Sequence, residues 1–143
     1  MKILVLNGPN INMTGKREAI YGAETLDQIN ARIKKAADKK GVEVDFFQSN
    51  SEGEIIDRLQ VGGFDGLIIN AGAYTHYSYA ISDALFSVKA KKIEVHMTNI
   101  LARDEFRKTS VIAPVCAGSI AGFGKRSYFL GLKALEYIIG DSK

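Results

Sequence analysis

The chain has 143 residues, 46% hydrophobic and 24% charged, and its 19 Lys and Arg against 16 Asp and Glu leave a formal charge of +3. These proportions exclude a disordered, collagen-like or disulfide-stapled chain. So small a basic excess fits a small anionic substrate as well as it fits nucleic acid.

From the N-terminus, Ile3 to Leu6 is an unbroken apolar run stopped by Asn7-Gly8-Pro9-Asn10. A run so short and unalternated predicts a strand buried on both faces. It is also too short for a signal-peptide core, and no later stretch reaches the length of a membrane span. Residues 24 to 40 read as a helix, with Leu26, Ile29, Ile33, Ala36 and Ala37 at helical spacing and Gly41 at the end. Thr25 is placed as its N-cap, and Gln28 three residues on completes a capping box.

A strand is predicted at Val42 to Phe47, then a helix from Glu52 to Val61 ended by Gly62-Gly63. Phe64 to Asn70 reads as another buried strand, followed by a polar loop through Tyr77. A helix from Tyr79 to Ser87, a strand from Lys92 to Met97, a short strand within Cys116 to Ala121 and a helix from Ser127 to Ile139 complete the chain. Alternating strands and helices imply right-handed crossovers and a covered parallel sheet. The expected fold is therefore α/β: a flavodoxin-like three-layer sandwich, with a five-stranded parallel sheet and helices on both faces, in one domain over residues 1–143.

In such folds ligands bind outside the carboxyl ends of the strands. The polar residues expected there are Asn7, Asn10 and Asn12 after the first strand, and Asn70 and His76 after the third. Glu94, His96, Thr98 and Asn99 follow on the fourth, with Arg103 and Arg107 beyond. Glu94 and His96, two apart on a strand, share a face. From spacing alone they are equally a strand-end salt bridge or an imidazole supported by a carboxylate for acid catalysis. Arg17 precedes Tyr21 by four residues in a polar loop, and a phenol becomes a useful base only where positive charge favours phenolate. That pair alone is a weak signal.

Several chemistries lack their residues. There is no Gly-x-Gly-x-x-Gly after the first strand and no Walker-type Gly-Lys-Ser/Thr. No His and Cys set has zinc spacing, and the carboxylates do not cluster as a metal site requires. A receiver domain would need acidic residues where Asn7 and Asn70 stand, and a flavin carrier would need a Ser/Thr-rich loop where Gly8-Pro9-Asn10 stands. Cys116 can form no intramolecular disulfide and, among small and apolar residues, reads as a structural thiol. Lys39-Lys40 and Lys89 to Lys92 read as solvated surface.

Taken in order, a set of motifs resembles type II 3-dehydroquinate dehydratase. They are Leu6-Asn7-Gly8-Pro9-Asn10-Ile11-Asn12, Gly15-Lys16-Arg17-Glu18 with Tyr21-Gly22, Phe47-Gln48-Ser49-Asn50 with Glu52-Gly53, and Ile69-Asn70-Ala71-Gly72-Ala73-Tyr74-Thr75-His76. Ala80-Ile81 with Asp83-Ala84, Glu94-Val95-His96 with Thr98-Asn99, Arg103, Glu105-Phe106-Arg107, Ser110 and the glycines from Gly118 to Gly124 follow. The set spans essentially the whole chain. One departure lies in Arg17-Glu18-Ala19-Ile20-Tyr21, which is one residue shorter than the family usually has and lacks its proline.

The resemblance implies a cytoplasmic hydro-lyase that converts 3-dehydroquinate to 3-dehydroshikimate with no cofactor, metal or Schiff base. Under it Tyr21 is the base, Arg17 supports the phenolate and the developing charge, and Asn10 holds a water against the enolate oxygen. His96, backed by Glu94, is the acid. Asn70, His76, Asp83 and Arg107 correspond to substrate-binding positions, with the backbone of Met97 and Thr98 holding the substrate carboxylate. It further implies a homo-oligomer, a dodecamer built of trimers in which a neighbouring subunit completes the site, and no nucleic-acid or membrane partner.

Overall fold

A computed structural model describes residues 1–141. Its centre is one parallel sheet of β1 (Lys2–Asn7), β2 (Glu43–Gln48), β3 (Gly66–Asn70), β4 (Lys91–His96) and β5 (Gly118–Ala121). The strand order is β2-β1-β3-β4-β5, the flavodoxin-like order expected from the sequence. After β1 the chain steps outward to β2 and then returns past β1 to β3, so the switch point of the sheet lies between β1 and β3, where ligands bind in such folds.

Four helices cover the sheet: α1 (Leu26–Asp38), α2 (Glu52–Val61), α3 (Tyr79–Ser87) and α4 (Arg126–Gly140). Strand alternation sorts the core into two layers. Ile3, Val5, Ile68 and Val95 face α1 and α4, where Ile29, Ile33, Leu132 and Leu135 meet them. Leu4, Leu6, Leu67 and Ile69 face α2 and α3, against Ile55, Leu59, Ile81 and Leu85. Both faces of β1 and β3 are therefore buried, which is why their sequences do not alternate. Each fully buried aliphatic side chain contributes about 1.5–3 kcal/mol relative to exposure.

The capping box of α1 is present: Thr25 Oγ1 accepts from Gln28 N–H at 3.2 Å and Gln28 Oε1 accepts from Thr25 N–H at 2.9 Å. Boundaries differ from expectation by a residue or two where loops are anchored. Pairing in β3 begins at Gly66 rather than Phe64, because Asp65 is tied to the start of β1, accepting from Lys2 N–H at 2.8 Å through its carboxylate. Lys92 corrects the reading of Lys89 to Lys92 as solvated. Its Nζ donates to the carbonyls of Val88 (2.6 Å) and Ala90 (3.3 Å), and burial pulls its ammonium below the usual lysine range. No helix among the described residues is long and apolar enough to cross a membrane.

Candidate active site

A cleft of about 110 Å³ lies at the carboxyl ends of β1, β3 and β4. Two glycines set how closely its walls approach. The N–H of Gly8 donates to the Asn70 carbonyl at 2.7 Å, and a Cβ on Gly8 would lie 2.4 Å from the Ala71 carbonyl oxygen. A Cβ on Gly72 would lie 2.9 Å from the Pro9 carbonyl oxygen, at a φ of +60°. Asn10 is the one non-glycine residue among those described with positive φ, +68°, a conformation that asparagine tolerates. Its backbone N–H donates to Asn50 Oδ1 at 3.0 Å, and its side chain lies at the cleft.

The loop between β1 and α1 brings Arg17 and Tyr21 to the same cleft. The Arg17 guanidinium lies 3.9 Å from the Tyr21 ring centroid, and that of Arg103 lies 5.2 Å from it. Both distances are within cation–π range. The shorter segment thus keeps Arg17 on Tyr21, with a second cation from the loop after β4.

At the end of β4, His96 and Glu94 are both buried on one face, and His96 Nε2 meets Glu94 Oε1 at 2.7 Å. A carboxylate only accepts, so Nε2 carries a proton and Nδ1 is the nitrogen left for other work. Two hydroxyls complete the Glu94 shell: Ser110 donates to Oε1 and Ser119 to Oε2, each at 2.6 Å. Burial pushes the Glu94 carboxyl up, but the hydrogen bond and charge of His96, with the two serines, outweigh it and hold the group below the usual range.

His76 sits on a 3-10 turn after β3, with Nδ1 2.8 Å from the Thr109 carbonyl and the ring edge-to-face with Phe106. Burial lowers its pKa, partly countered by that carbonyl. Arg107 lines the same side; its buried Nε has no hydrogen-bond partner among the described residues, the Asp104 carboxylate lying 3.7 Å away. Asn70, Met97 and Thr98 also line the cleft. Asp83 does not: it is exposed on α3, outside the cleft of its own chain. Cys116 is not among the lining residues, and burial, followed by the Glu94 charge, pushes its thiol up to about 12. No three of His, Cys, Asp and Glu among the described residues converge on a point where a metal ion could be held.

Residues 1–136 match the family model described as "Dehydroquinase class II". The chain belongs to this family. The 3-dehydroquinate dehydratase of Thermotoga neapolitana is 58% identical over 99% of both chains, and that of Clostridium beijerinckii is 55% identical over 95% of this chain and 96% of its own. The crystal structure of type II dehydroquinase from Butyrivibrio crossotus superposes with a TM-score of 0.93 at 51% identity, covering 95% of this chain and 97% of that one.

For this dehydroquinase, sequence reasoning found most of the cleft and missed parts of its support. Ser119 drew no attention, yet it is the register partner of Glu94 across β4 and β5. Only the strand pairing, which sequence spacing does not give, places it there. Tyr128, which reaches Asn7 and Asn70, belongs to none of the motifs quoted from the sequence.

Proposed function

We propose that this dehydroquinase removes water from 3-dehydroquinate to give 3-dehydroshikimate by acid–base catalysis through an enolate. The observation that carries the reading is the presence at one cleft of Tyr21, stacked under Arg17, and His96, held by Glu94. Tyr21 as phenolate takes the proton alpha to the ketone, and the C–H electron pair becomes the carbon–carbon double bond of the enolate. Arg17 and a water held by Asn10 stabilise the charge that grows on the enolate oxygen. The enolate then re-forms the ketone, a double bond forms between the alpha and beta carbons, and the beta C–O bond breaks. His96 gives the departing hydroxyl its proton, so that water leaves. The proton on Tyr21 passes to solvent and His96 regains one, closing the cycle with neither metal nor imine.

Binding falls to groups beside these. The buried Nε of Arg107, which faces Asp104 Oδ2 at 3.7 Å without a hydrogen bond to it, supports a role as a donor to a substrate oxygen, with His76 and Asn70 also lining the wall. The backbone at Met97 and Thr98 is proposed to hold the carboxylate. Asp83 serves only in an oligomer, and Tyr79, Asp83 and Phe86, exposed at helical spacing on α3, support contact with a second copy. A dodecamer of trimers would place one subunit's Asp83 at another's cleft. Such an enzyme would serve the shikimate or quinate route in the cytoplasm.

The test is an ultraviolet assay for the conjugated enone with purified protein and 3-dehydroquinate, run with and without a chelator and borohydride. Turnover unaffected by either reagent is expected. No product, or inactivation by chelator or by borohydride with substrate, overturns the reading.

A further inference from the structure

Asn7 and Asn70 are cross-strand partners at the carboxyl ends of β1 and β3, and both are almost wholly buried. By alternation they continue the face of Ile3, Val5 and Ile68, so they stand where the α4 core layer gives way to the cleft. Tyr128, in the first turn of α4, is fully buried beneath them. Its hydroxyl donates to Asn7 Oδ1 at 2.6 Å and accepts from Asn70 Nδ2 at 2.9 Å. Asn70 Oδ1 in turn accepts from the Gly72 backbone N–H at 3.2 Å, and a backbone N–H can only donate. That bond fixes which end of the amide is oxygen.

With its oxygen turned to Gly72 and one N–H turned to Tyr128, the Asn70 amide has one polar hydrogen left for the cleft it lines. We propose that Tyr128 is a positioning residue that, through Asn7 and Asn70, makes Asn70 a hydrogen-bond donor toward the substrate, so that this point of the cleft accepts an oxygen acceptor and rejects a donor. The inference deepens the functional reading above and rests on it. Burial also pushes the Tyr128 phenol well above its ordinary range, so its hydroxyl stays protonated and the arrangement is the same across the working pH. Tyr128 takes no proton from the substrate; it acts only through the amide.

The experiment compares the wild type with Tyr128→Phe, Asn7→Ala and Asn70→Asp in the enone assay, with thermal unfolding of each. Tyr128→Phe keeps the ring that packs the core and removes only the hydroxyl. It is expected to raise KM about tenfold, the loss for one unmade buried hydrogen bond, with kcat within about threefold and the shape of the pH profile unchanged. Asn70→Asp, which offers the substrate only acceptors and a like charge, is expected to raise KM further. A merely structural role for Tyr128 would lower the melting temperature and leave KM alone, so a folded Tyr128→Phe with wild-type KM overturns the inference. If Tyr128→Phe does not fold, Asn7→Ala, which removes the acceptor that orients the Tyr128 hydroxyl without altering any residue of the cleft wall, is judged by the same KM criterion. An inert wild type overturns the functional reading together with this one; an active wild type with unchanged KM in the variant overturns this one alone.

Discussion

The two halves of the cleft are built differently. His96 stands on a central strand, buried to 6% exposure, against a carboxylate that two serines also hold. Tyr21 stands on a loop between exposed neighbours, with two guanidiniums against its ring and its N–H bonded to the Glu18 carbonyl. A group on a strand is fixed by the pairing on both sides of it, whereas Tyr21, although buried to 9% exposure against the α1 and α4 core, is carried between exposed residues. The difference teaches how each half is oriented: strand pairing and a buried carboxylate hold His96, and ring packing with two guanidiniums holds Tyr21.

The strongest way to break this comparison is to delete the reacting group of each half. Tyr21→Phe and His96→Ala are each expected to lower kcat by roughly 100- to 10,000-fold, as general base and general acid. Tyr21→Phe removes one oxygen and should leave the unfolding temperature near wild type. Retention of more than a few per cent of the rate in either variant would remove that residue from its role.

A smaller effect is expected at the cations. Arg17→Ala is expected to lower kcat/KM by about tenfold, worth about 1.4 kcal/mol, since it removes the guanidinium 3.9 Å from the Tyr21 ring and with it charge support for the enolate oxygen. Arg17→Ala with Arg103→Ala should lower it further, because Arg103 is the second cation at the ring. Arg17→Lys should restore only part of the rate, because the planar fork is lost. Measuring kcat/KM for the four proteins checks this, and a wild-type value in the double variant would show that neither cation acts at the site.

The His96 half should answer to pH through stability. Glu94 is held below its ordinary value of 4.5, so its ionised form stabilises the fold at neutral pH, and that contribution is lost as pH falls through its native pKa. Glu94→Gln is therefore expected to be less stable near neutrality, with the gap to wild type closing in acid. Denaturant titrations from about pH 7 to about pH 3 measure it. The smallest change is expected from Ser119→Ala, about 1 kcal/mol in the same titrations, the worth of one hydrogen bond to a group that keeps its other donors.

What the sequence disclosed follows the same division. Buried parallel strands are written as local apolar runs, and Thr25 with Gln28 is a local cap, so the strands and the helices were legible. Glu94 and His96 were legible as a face-sharing pair because strand period is local too. Their third and fourth partners were not, since Ser110 and Ser119 arrive from 16 and 25 residues away. Arg17 and Tyr21 were visible as a weak signal that the resemblance gave roles, but spacing in an irregular loop sets no distance, and only the folded chain puts the guanidinium 3.9 Å from the ring. Asp83 matched a motif, and a motif does not say whether a residue reaches the cleft of its own chain.

The interlocked glycines also bear on the order in which the molecule acquires its parts. Only a residue without a Cβ fits at Gly8 against Ala71 and at Gly72 against Pro9, and the turn that displays Asn10 gains these contacts only when a segment more than sixty residues later has docked. Closing so long a loop is slow compared with winding a helix. As the chain emerges from a ribosome, the N-terminal residues of the cleft would have their neighbours only after β3 is made. The β1 side of the cleft is thus encoded early in the chain and completed late, and hydrogen exchange during refolding should show the Gly8 amide protected together with β3 rather than with the helix that follows it in sequence.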